Sequence, residues 1–220
     1  MSNTLKIAIL SPVCQLGGMF AGGAIGTFVH GALPGHTLDL GRILPAAFFA
    51  LFGLLAGGAL WGMLIARFSG SSETRRGAGA GAIWAISALA IALALTPIEV
   101  ALVEQAGSPL PLRNLFTLLF VPAVFIVCFV TAWTMSVALR RRGREARNAL
   151  LTGLACAGAF LVVNILMDAL GWQVGAPRAA ERFTMLTVAF GGCLAASAAL
   201  GGALQIALSR SGASAPIALQ

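Results

Sequence analysis

The sequence has no tyrosine, one lysine and two histidines in 220 residues, and each shortage closes off a class of chemistry. With Lys6 as the only lysine there is no G-x-x-x-x-G-K phosphate loop and no lysine deep in an apolar run to carry a retinal Schiff base. His30 and His36 are too few for two bis-histidine haems and form no H-E-x-x-H zinc pattern. Cys14, Cys128, Cys156 and Cys193 fall in separate apolar runs with no C-x-x-C pair. That argues against dithiol redox chemistry and zinc, and reads them as small apolar packing residues. No G-x-S-x-G elbow and no TVGYG-like filter occurs. No catalytic motif, metal site or cofactor site is expected, and the reading leans away from an enzyme.

Charge is scarce as well. Only 10% of residues are charged, 59% are hydrophobic and the mean hydropathy is +0.93, values a soluble domain could not carry without large exposed apolar patches. A net charge of +7 and a pI near 11.0 would suit a nucleic-acid partner in a soluble chain. Here the arginines fall in short segments between apolar runs and form no recognition motif, so no nucleic-acid partner is expected.

What the chain does have is apolar length. Runs at about Ile7–Leu33, Ile43–Ala66, Ala78–Val103, Leu115–Leu139, Ala149–Leu170 and Phe183–Leu208 each reach the roughly 20 residues a helix needs to cross about 30 Å of hydrocarbon. The expectation is an all-α integral membrane protein, one transmembrane domain over residues 1–220, built as a bundle of six transmembrane helices. The first run extends to Leu33, too far for a cleaved signal peptide, and reads as a retained helix.

Orientation follows from the arginines. Arg140, Arg141, Arg142, Arg144 and Arg147 crowd into eight residues between two runs, and basic loops of this kind stay in the cytoplasm. With both termini cytoplasmic, Lys6, Arg67, Arg75, Arg76, the five-arginine cluster and Arg210 are inside; only Arg42, Arg113, Arg178 and Arg182 are outside. Glu73 and Glu145 are inside, against Asp39, Glu99, Glu104, Asp168 and Glu181 at or near the outer face. The expected location is a bacterial cytoplasmic (inner) membrane, multi-pass, with the arginine cluster serving as topology signal and lipid contact. Trp61, Trp84 and Trp133 fall near cytoplasmic helix ends and Trp172 just past an outer end, where interfacial anchors belong.

Packing is written in small residues. Gly18, Gly22 and Gly26 recur every four residues in the first helix; Gly53, Gly57, Gly58 and Gly62 thin one side of the second, and Gly191 heads a stripe with Ala195 and Ala199 in the sixth. Such faces let backbones approach closely, the main source of helix association in lipid. They serve either internal packing or an interface with partner subunits or a second copy. Leu115–Val130 is rich in Leu, Phe and Val and reads as a lipid-facing helix, bent at Pro122. A weak internal likeness between Gly57–Arg67 and Gly201–Arg210 pairs the first helix hairpin with the last as a pseudo-repeat.

Polar groups within the runs mark the candidate site, because ionisable side chains are costly in hydrocarbon. His30, Glu99, Asn164 and Asp168 share a similar depth in the outer half, and Asn164 and Asp168, four apart, share a helix face. They form either a pocket for an unidentified small polar ligand or a set that snorkels to the loop arginines. Two functions follow. One is a transport-type protein, alone or as the membrane component of a larger transporter. The other is a non-catalytic structural subunit or assembly factor of a membrane complex. In helix count and in its small-residue first helix the chain resembles the substrate-binding components of energy-coupling-factor transporters, and no motif of theirs is present.

Overall fold

The computed structural model describes residues 2–31, 40–104, 112–140, 143–169 and 178–212, all helical apart from short connections. The six helices are α1 (Asn3–Gly31), α2 (Leu40–Phe68), α3 (Thr74–Glu104), α4 (Leu112–Ala138), α5 (Glu145–Ala169) and α6 (Arg178–Gly212). All six are long and apolar enough to cross a membrane, so the chain is a multi-pass membrane protein in contact with lipid. Each helix begins a few residues before its apolar run, because polar residues such as Thr74, Arg75 and Arg76 continue the hydrogen-bonded spiral out of the hydrocarbon.

Consecutive helices are neighbours and α6 returns to α1, closing a ring in which α4 and α6 also touch across the middle. Residues near 3, 68, 74, 138, 145 and 212 gather at one end, called here the arginine-rich end. There α2 stops with Gly70 in the left-handed region (φ 72°), Gly70 N–H donating to Arg67 O and Ser71 N–H to Ala66 O. That is a Schellman stop, which satisfies carbonyls the helix would leave unpaired. α4 stops in a similar way with Arg140 in the left-handed position (φ 56°), its N–H donating to Val137 O at 3.0 Å.

Glycine sets the tightest seams. A Cβ on Gly18 would strike the carbonyl of Gly53 and one on Gly53 that of Gly18; Gly22 faces Phe49 O and Gly57 faces Cys14 O. The opposite flank of α2 repeats the device against α3, pairing Gly58 with Gly81 and Gly62 with Gly77. The glycines of α2 therefore form not one side but two, Gly53 and Gly57 against α1 and Gly58 and Gly62 against α3, and both are used within the chain. Gly26 is buried on α1, while Gly191 makes only ordinary contact, 3.7 Å from Val163.

Two readings of side-chain position change. α4 is not a plain lipid-facing helix: Ala123, Val127, Cys128, Thr131, Ala132 and Met135 are buried, since α4 packs on α3, α5 and α6. Pro122 lies within the helix. Trp61 and Trp84 are core residues, not interfacial anchors. Trp61 is fully buried, with its ring 6.4 Å from that of Trp84, and of the described tryptophans only Trp133, 41% exposed, faces outward. Trp172 lies outside the described residues.

Candidate functional site

The interior of the ring is polar in two places. At the α1–α6 seam, Ser11 Oγ donates to Ile7 O at 2.7 Å and accepts from Trp61 Nε1 at 2.8 Å. One turn on, Ser197 Oγ donates to Gln15 Oε1. Gly201 stands directly against Ser11 and Ile7, which lets α6 come close enough for these contacts. Lower down, Gln205 Nε2 donates to Phe68 O at 2.9 Å, so a side chain of α6 caps the last turn of α2. Gln15 Nε2 and Gln205 Oε1 remain buried without a partner.

The second polar zone lies between α4 and α5. Asn148, Thr152, Cys156, Phe160 and Asn164 follow one another at intervals of four along α5, and all are buried. On α4, Cys128 faces this row at Cys156, and Thr131 and Ser136 are also buried. Thr131 Oγ1 returns its hydrogen bond to Val127 O at 2.7 Å, whereas Ser136 Oγ, Asn148 Nδ2 and Thr152 Oγ1 are buried and unpartnered. Leaving such an atom unpaired costs about 1–3 kcal/mol. Cys128 and Cys156 lie side by side with Cys193 of α6 nearby, so three cysteines that are far apart in sequence meet at one helix junction, as free thiols. Among the described residues no group of three or more His, Cys, Asp or Glu side chains is placed to hold a metal ion.

Of the four ligand candidates, Asn164 is the one whose side chain is described. It is 4% exposed, its Nδ2 donates to Phe160 O at 2.8 Å, and its amide abuts Gly192 at the α5–α6 seam. Phe160 beneath it stacks on Phe120 of α4, centroids 6.3 Å apart. His30, Glu99 and Asp168 lie on α1, α3 and α5, and their side chains are outside the described residues. These three helices occupy alternate places around the ring and are not principal neighbours of one another. The loop arginines Arg42, Arg113, Arg178 and Arg182 likewise have side chains outside the described residues.

At the other end, Glu73 forms ion pairs with Arg76 and Arg140, each 3.4 Å from Oε1. Arg144 immediately precedes α5 and Arg147 lies in its first turn, while Arg141 and Arg142 lie outside the described residues. Gln15, Asn148, Thr152, Ser197 and Gln205 escape a search for ionisable groups alone; their signal in the sequence is neutral polar residues in or beside apolar runs, some four apart, as Ser11 with Gln15 and Asn148 with Thr152.

No family model matches the chain, and neither a curated protein nor a solved structure matches it.

Proposed function

We propose that this chain is a small transport-type protein, or the membrane-embedded component of a larger transporter, of a bacterial cytoplasmic membrane. Its site is a polar pocket in the outer half, around His30, Glu99, Asn164 and Asp168, and its arginine-rich end faces the cytoplasm. The observation that supports this reading is the buried polar row of α5. The row runs from Asn148 and Thr152 near the arginine-rich end, each with a buried unpartnered polar atom, to Asn164 toward the opposite end, and a bundle built only to pack gains nothing from such groups in its interior. Asp168 follows Asn164 by one turn and extends that row toward the outer end. The ten basic residues placed inside against four outside support the orientation.

The test is purification in mild detergent with mass spectrometry of everything that co-purifies. A small polar molecule retained by the parent chain, and lost in Glu99→Gln and Asp168→Asn, supports the transport reading. Stoichiometric protein partners with no bound small molecule favour the alternative, a structural subunit or assembly factor.

A further inference from the structure

The arginine-rich end holds an open cleft of about 620 Å³ between the start of α3, the end of α4 and the start of α5, lined by Arg76, Val137, Ala138, Arg140 and Glu145. We propose that this cleft binds the headgroup of an anionic glycerophospholipid. The argument stands on this end of the bundle alone and does not depend on the pocket at the other.

Arg76 and Arg140 come from different helices yet converge on one point, each 3.4 Å from the same oxygen of Glu73. Two guanidinium groups aimed at one carboxylate oxygen form a seat for an oxyanion, and a phosphodiester presents the same pair of oxygens with the same charge. Glu73 marks that seat without holding it firmly. The two arginine side chains are 48% and 64% exposed, and ion pairs in that setting are weak enough for a competing anion to displace. Glu145 on the cleft wall is an acceptor for a headgroup hydroxyl.

The cleft's apolar side decides between a lipid and a soluble phosphate. Val137 lines the cleft and is itself 54% exposed. From it an exposed stripe descends α4 to Trp133, four residues away, and on to Ile126, seven further, all on one face. That is the lipid-facing side of the helix, with an indole near its interfacial end. A basic rim continuous with a lipid-facing stripe fits one molecule carrying both a phosphodiester and acyl chains. Arg140, which lines the cleft, is also held in the left-handed conformation, unusual for a residue with a Cβ.

The experiment uses the full chain in detergent, exchanged into mixed micelles of phosphatidylglycerol and phosphatidylcholine, with retained lipid measured by native mass spectrometry. One variant carries Arg76→Gln and Arg140→Gln. A control carries Arg75→Gln and Arg144→Gln, the same change in net charge outside the cleft. The parent chain is expected to retain phosphatidylglycerol preferentially, the cleft variant to lose that preference by about tenfold or more, and the control to keep it. Equal loss in both variants means diffuse attraction by net charge and overturns the proposal. So does displacement of the lipid by millimolar glycerol 3-phosphate, which would make the seat a soluble-phosphate site. If the cleft variant does not fold, Val137→Trp fills the floor with both arginines intact: lost preference supports the site, and unchanged preference overturns it.

Discussion

Trp61 Nε1 donates to Ser11 Oγ at 2.8 Å, joining α2 to α1 through two residues that have no exposed surface. The serine hydroxyl donates its own proton to Ile7 O and accepts the indole N–H on an oxygen lone pair. Removing the hydroxyl leaves the indole N–H buried and unpaired. Ser11→Ala is expected to destabilise the protein by about 1–3 kcal/mol, and Trp61→Phe in that background to cost less than Trp61→Phe alone. Unfolding in graded denaturing detergent measures both, and a coupling energy of about 0.6–1.7 kcal/mol is the expected scale for a membrane interior. Strictly additive costs would show that the bond contributes nothing.

The glycine seams predict a sharp contrast between neighbours in sequence. Gly18→Ala and Gly53→Ala place a methyl group on a facing backbone carbonyl that no rotamer can relieve, whereas Gly17 and Gly79 have nothing within 4 Å of the same position. The first pair is expected to lose about 1–3 kcal/mol through forced separation of α1 and α2. Gly17→Ala and Gly79→Ala should be neutral, or more stable by about 0.5–1 kcal/mol from better helix propensity. Thermal aggregation of the four variants in one detergent is a sufficient readout.

Thr152 offers a separation of stability from function. Its Oγ1 is buried and unpartnered, so Thr152→Val, which preserves shape and removes the orphan hydroxyl, is expected to be neutral or stabilising. If the polar row of α5 serves transport, the same variant retains less ligand or moves it more slowly. A variant both stable and fully active would remove Thr152 from the working part of the row.

Arg140 carries a conformational cost that glycine would not. Arg140→Gly should relieve the left-handed strain, offset in part by the entropy glycine loses on folding, for a net gain of about 0.5–1 kcal/mol. Glu73→Gln removes only exposed ion pairs and should change stability by less than about 1 kcal/mol. Melting curves of the two variants against the parent test both numbers.

The six spans were legible because an apolar run of twenty or more residues has one stable form in lipid, and hydropathy measures that directly. Azimuth was not. Hydropathy places Trp61 and Trp84 at the right depth but cannot say whether a ring faces lipid or core, and both turned inward, Trp61 to meet Ser11. α4 misled for the same reason, since Leu, Phe and Val serve a lipid face and a packed face equally well. The glycines of α3 were missed because Gly77 precedes the apolar run and Gly81 opens it; the partners of Gly58 and Gly62 therefore sat where the sequence showed a boundary. Toward the end opposite the arginine-rich one the sequence names His30, Glu99 and Asp168 without placing their side chains. Asn164 showed its burial only once α5 and α6 were seen to meet at Gly192.

The closure of the ring by α1 and α6 has a consequence for the order of synthesis. The ribosome delivers α1 first and α6 last, so Gln15 enters the membrane long before Ser197 exists to meet it. Trp61 arrives one helix later, on α2, and its contact with Ser11 and the glycine contacts among α1, α2 and α3 all lie within the half of the chain that is made first. Until α6 emerges, Gln15 lacks the hydroxyl that it meets in the finished protein.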